Sequence, residues 1–159
     1  MKPFFPAVVA LALGLTASAG ADQRTSQSAR VGELGSVEFA HGSAALGPEA
    51  DLAMVADWAY DHPDGLVVLD GHADPTGARD VNLRLSFARA KAVREKLTNL
   101  GVDPDHIVIA AFGKDGPQSA RDRRVVAWGT RAGMKAVVAR SRAFGPSLIA
   151  TRSATVATR

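Results

Sequence analysis

Between residues 36 and 128 the apolar positions switch repeatedly between the two-residue period of a strand and the three-to-four-residue period of a helix. Val37 and Phe39 alternate with polar neighbours, which predicts a short strand over 36–40. Gly42-Ser43 and Gly47-Pro48 then mark a turn and the approach to a helix, with the proline suited to a first helical turn. Leu52, Val55, Ala56 and Ala59 form a helical stripe that must stop before Pro63, because the residue ahead of a proline is pushed out of helical geometry. Leu66-Val67-Val68-Leu69, framed by Asp64-Gly65 and Gly71, reads as a strand buried on both faces. A long amphipathic helix is predicted over 81–100, stopping at Gly101. Residues 107–112 form a third strand candidate, 113–120 a polar loop and 123–128 a fourth strand. The order strand–helix–strand–helix–strand–strand implies an α+β fold, a βαβαββ two-layer sandwich in which two helices cover one face of a small mixed four-stranded sheet.

The two ends of the chain read differently. Lys2 precedes an apolar run from residue 4 to 15 and then the small residues Ala17-Ser18-Ala19-Gly20-Ala21, the three-part layout of a secretory signal peptide over 1–21. The apolar run is short for a membrane span. Residues 22–35 are small and polar without a period, as expected of a linker. Residues 131–159 predict a basic tail. Ala136-Val137-Val138-Ala139 offers at most an edge strand, and the Ala/Ser/Thr/Arg mixture after Phe144-Gly145-Pro146 holds little core to offset ordering, so disorder or weak docking is expected there.

Charge sharpens that division. All sixteen acidic residues lie at or before Asp122, so residues 1–130 carry a net −3 and the tail +6. The isoelectric point near 9.7 therefore describes the tail and is no nucleic-acid signature for the domain. Solvation of the tail, or its attraction to anionic wall polymer or lipid headgroups, explains the cations without nucleic acid. The absence of cysteine excludes disulfides, thiolate metal sites and a lipidated cysteine, which suits a bacterial periplasm.

The chemistry concentrates around residues 70–90. On the long helix, at roughly 100° per residue, Ser86, Ala90, Val93, Leu97 and Leu100 share one face with Arg89 beside it, while Arg84, Lys91 and Glu95 point away. A half-buried guanidinium needs a partner, and Asp74, just past the preceding strand, is the nearest acid that chain order supplies. Such a pair forms either a structural ion pair or a cleft for a zwitterion, the carboxylate taking an ammonium and the guanidinium a carboxylate. Asp70, His72 and Asp74 alternate at a spacing that suits a metal, yet Gly71 and Pro75 signal that the strand is ending, and no metal site or cofactor is expected. Ser43 and Ser86 lack a His–Asp support, so no catalytic residue is assigned. Trp58 and Trp128 are expected in core or rim packing.

Four segments together resemble the OmpA-like peptidoglycan-binding domain, the module shared by outer-membrane protein A, the peptidoglycan-associated lipoprotein and flagellar stator proteins. They are Val37-Glu38-Phe39 with Ser43 and Leu46; Gly71-His72-Ala73-Asp74 with Gly77; Asn82-Leu83-Arg84-Leu85-Ser86-Phe87-Ala88-Arg89-Ala90; and Asp122-Arg123-Arg124-Val125. The resemblance covers residues 36–130. It implies non-catalytic binding to the diaminopimelate of the peptidoglycan peptide stem, tethering an envelope component to the wall. By the same resemblance Asp74 holds the ammonium, Arg89 the carboxylate, Asn82 orders the loop or meets the ligand, and one of Arg123 and Arg124 faces the cleft. Ala73 replaces the usual threonine, and Ala40 and Gly42 stand where Asp or Asn is common. The implied setting is the periplasm, at the wall or outer membrane, with peptidoglycan and a further envelope protein as partners. The competing readings are a metal-dependent peptidoglycan hydrolase or amidase built on Asp70, His72 and Asp74, and an adaptor of the same fold that has lost wall binding.

Overall fold

The strand with the continuous apolar run is the centre of the structure. In a computed structural model, which describes residues 30–116, 123–144, 147–152 and 154–158, β2 (Leu66–His72) is flanked on both sides and buried almost throughout. The elements in chain order are β1 (Arg30–Glu38), α1 (Ala53–Asp61), β2, α2 (Arg79–Asn99), a 3-10 turn (Pro104–His106), β3 (Ile107–Gly113), β4 (Arg124–Thr130), α3 (Met134–Ala143), β5 (Ser147–Ala150) and β6 (Thr155–Thr158). They build one sheet in the order β1-β4-β2-β3-β5-β6. Only β2 and β3 pair in parallel, joined by the α2 crossover; every other neighbouring pair is antiparallel. The mixed α+β class is as expected.

Alternation along the strands gives the sheet two dry faces. Val67, Leu69, Ile107, Ile109, Ala111, Val125 and Ala127 point to α1 and α2, where Val55, Ala90, Val93 and Leu97 meet them. Gly71 is needed on this side because a Cβ there would strike the main-chain carbonyl of Ser86, so the glycine lets α2 lie directly on β2. Leu100, expected on the helix stripe, is 41% exposed because the helix ends at Asn99.

The opposite face corrects the sequence reading. Among the described residues six strands and three helices stand where four and two were expected. Residues 30–35, expected in a linker, extend β1, and the expected basic tail supplies α3, β5 and β6. The apolar positions on this face explain why. Val68, Val108, Ala110 and Phe112 would lie bare without α3, which packs Val137 on them, while β5 widens the same face with Ile149. Met134, Val137, Val138 and Ser141 follow a helical period that the Val-Val pair disguises as a strand. The signal-peptide reading of 1–21, the linker positions up to 29, and Asp122 lie outside the described residues.

An ion pair fastens α3. Arg140 on α3 donates from Nη2 and Nη1 to the two carboxylate oxygens of Asp70 on β2, at 2.7 and 3.2 Å, and its guanidinium lies 5.4 Å from the Trp128 ring and 5.5 Å from that of Phe144. Burial pushes the Asp70 carboxyl up while Arg140 pulls it back. His72, stacked on Phe112, is pushed down to about 4, chiefly by burial and further by the charges of Arg124 and Arg140.

Two outcomes are expected. Arg140→Ala leaves Asp70 buried without its cation and should lower urea-unfolding stability by about 3–5 kcal/mol. The folded chain keeps His72 neutral down to about pH 4, whereas the unfolded chain protonates it around its ordinary 6.5. Between those values the unfolded state holds more protons, so His72 makes stability fall as pH drops, by about 3 kcal/mol in all. His72→Phe should remove that part of the slope when unfolding is followed from pH 7 to 4.

Candidate functional site

Arg89 sits on the α2 face that holds Ser86, Ala90, Val93 and Leu97, and no part of it reaches solvent. Its Nε donates to the carbonyl of Ser43 at 2.8 Å, Nη1 to that of His72 at 3.0 Å and Nη2 to that of Ala40 at 3.0 Å. The guanidinium carbon lies 5.4 Å from the Phe39 ring. Three of the five N–H donors of an arginine fork are thereby committed to main-chain oxygens. Burial lowers its pKa, the charge of Asp74 works against that shift, and Arg123 adds to it. Arg89 therefore feels Asp74 without bonding to it. The expectation that the two face one open cleft is corrected here: α2 lies so close to β2 that the guanidinium ends beneath the strand-end loops, not beside them.

Asp74 is the accessible member. It follows β2 by two residues, after Ala73 has extended the strand pairing by donating its N–H to Gly113 at 2.8 Å. Its Oδ2 lies 3.0 Å from Nδ1 of His41, and Nη1 of Arg123 donates to Oδ1 at 3.2 Å. The His41 side chain is 82% exposed, Arg123 52% and Asp74 18%. The site is thus a recessed carboxylate roofed by two surface groups, at the end of the sheet where β2 finishes and β4 begins.

The loop from β2 to α2 is braced from both ends. Asn82 is buried, and its Nδ2 donates to the carbonyl of Thr76 at 2.6 Å. Asn82 thus orders the loop, one of the two roles foreseen for it. Ser86, fully buried, donates to the carbonyl of Leu83 and accepts from the N–H of Gly113, both at 2.9 Å. It ties α2 to the end of β3 and has no nucleophile geometry.

Arg123 and Arg124 separate, as neighbours on an extended segment must. Arg123 reaches Asp74; Arg124 turns to the α3 face, where its charge acts on His72 and its buried Nε has no hydrogen-bond partner. The Asp70, His72 and Asp74 constellation does not assemble. Asp70 is bonded to Arg140 on the α3 face and His72 is stacked there on Phe112, while Asp74 serves the other end of the loop. Among the described residues no three His, Cys, Asp or Glu side chains could hold a metal ion. Trp58 is buried and stacked on His62, as packing predicts.

One site residue escaped the sequence reading. His41 stands between Ala40 and Gly42, both noted only for what they lack. Its signal is a titratable side chain on the turn after the first strand, which carries no periodicity.

Comparison with known proteins agrees with this architecture. The family model of the OmpA family matches residues 38–127. A peptidoglycan-associated lipoprotein of Mesorhizobium japonicum is 30% identical over 112 residues, 69% of this chain and 67% of that protein. A peptidoglycan-binding protein ArfA of Mycobacterium tuberculosis is 38% identical over 86 residues, 52% of this chain and 26% of that protein. The crystal structure of the peptidoglycan-associated lipoprotein from Burkholderia pseudomallei superposes with a TM-score of 0.51 at 27% identity, over 60% of this chain and 89% of that one.

The Arg89 hydrogen bonds generate a direct expectation. Arg89→Lys keeps the charge but has no planar fork, so buried carbonyls lose donors and stability should fall by about 2–4 kcal/mol. Hydrogen exchange should quicken at residues 40–43 and 72–74; unchanged protection there would show that the fork does not hold these loops.

Proposed function

The chain belongs to the OmpA family, and from that premise we propose that it binds peptidoglycan without catalysis, through the diaminopimelate of the peptide stem. The observation that carries this reading is the recessed Asp74 carboxylate with an exposed guanidinium at 3.2 Å. A carboxylate of this kind receives an ammonium, and the adjacent Arg123 presents a fork to the carboxylate on the same carbon. Arg89 acts from below. Its charge and that of Asp74 attract through space, and its bonds position the loops that carry the site. Asn82 holds the 73–78 loop in register, and Arg124 contributes to the opposite face rather than to the ligand.

The names of the relatives, peptidoglycan-associated and peptidoglycan-binding, support the choice of polymer. They also support a periplasmic, wall-associated setting, and the proposal adds that the protein tethers an envelope component there, with a further envelope protein as partner. The hydrolase alternative lacks its metal-binding triad, since Asp70 and His72 face away from Asp74. Exposed ion pairs give modest affinity each, so firm retention would come from many sites along one polymer.

Co-sedimentation with purified sacculi tests the reading. The wild type should pellet with the wall and release no soluble fragments. Asp74→Ala and Arg123→Ala should each weaken retention by about tenfold, the scale of one charge-assisted contact. Equal retention of all three proteins would remove this site from wall binding.

A further inference from the structure

Asp74 is already occupied in the free protein. Its Oδ1 carries Arg123 and its Oδ2 carries His41, so an arriving ammonium meets a donor already in place at either oxygen. His41 is not placed by chance. The carbonyls on either side of the His41-Gly42 pair, those of Ala40 and Ser43, are both bonded to the buried Arg89. The N–H of Ser43 closes the turn onto the Ala40 carbonyl at 3.1 Å, and Gly42 supplies the left-handed backbone the turn requires, at φ +66°. The same guanidinium bonds the carbonyl of His72, two residues ahead of Asp74. One buried fork therefore fixes the spacing between the backbone bearing the imidazole and the backbone bearing the carboxylate.

The two groups over Asp74 differ in what they can do next. Arg123 has further N–H donors and can keep Oδ1 while offering the rest of its fork to a ligand carboxylate. His41 has a single ring nitrogen on the carboxylate and fills one of the acceptor sites of Oδ2 that an ammonium would use. Its ring is exposed, so rotation into water is open to it while the loop stays fixed.

We propose that His41 is an intramolecular competitor for the ligand ammonium, so that wall binding is held down in the free protein. The identity of the ligand rests on the peptidoglycan reading above; the competition rests on the His41–Asp74 geometry. Among the described residues, the charged groups facing this contact are Asp74 and Arg123 at the surface and Arg89 beneath.

The test is the apparent dissociation constant for purified sacculi, for wild type, His41→Ala, His41→Gln and Asp74→Ala. His41→Ala should bind about fivefold more tightly than wild type, the factor given by one net hydrogen bond. His41→Gln, which keeps a donor, should match wild type. Weaker or equal binding by His41→Ala, or equally tight binding by His41→Ala and His41→Gln, overturns the competitor. If Asp74→Ala binds as well as wild type, the wall-binding site itself is overturned, and His41 with it. Because His41 is exposed and makes no core contact, an unfolded variant is not expected, and thermal unfolding of each protein verifies this.

Discussion

A buried guanidinium with no carboxylate bonded to it organises this domain. Removing a charge from water is costly, and Arg89 offsets that cost with three main-chain carbonyls, an aromatic ring and the field of Asp74. The carbonyls come from the loop after β1 and from the last residue of β2, so three elements converge on one side chain. Main-chain acceptors cannot turn away as a carboxylate side chain can. The price of burying the charge is thus converted into fixed loop positions. That constraint sets where His41 and Asp74 stand, and it reserves the surface of the site for groups that can exchange partners.

The sheet has a second apolar face, and the C-terminal segment exists in its present form because of it. Val68, Val108, Ala110 and Phe112 need cover, and α3 provides it, while β5 extends their face with Ile149. The charges on that face then follow from burial. Asp70 is inside and has Arg140; His72 is inside and stays neutral under the cations of Arg124 and Arg140. The proposed binding site lies at one end of the sheet, and this ionic clamp lies across the face that α3 covers. The two share β2, where residue 70 faces α3 and residue 74, beyond the strand end, reaches the proposed site.

Local pattern revealed much of this. The two periods locate β2, β3, β4 and α2 to within a few residues, because alternation and the helical stripe depend only on neighbours along the chain. The exception was α1, which begins at Ala53 and not at the Gly47-Pro48 turn. The pairing of Asp74 with Arg89 was half legible: both residues lie at the loop between β2 and α2, yet Arg89 feels Asp74 only through space. The depth of a side chain depends on how closely the helix approaches the strand, and that approach is set by Gly71 meeting Ser86 across the interface.

The sequence by itself determined the element types, the α+β class, the family resemblance and the shortlist of charged residues. Tertiary structure alone decided their roles. Arg89 bonds carbonyls 46 and 49 residues away, and Arg140 bonds an acid 70 residues away. Arg123 rather than Arg124 meets Asp74 because the sheet assigns their faces. Local periodicity encodes which side of an element is dry, but not what lies opposite it, since a partner is chosen by the packing of segments that the chain order leaves far apart.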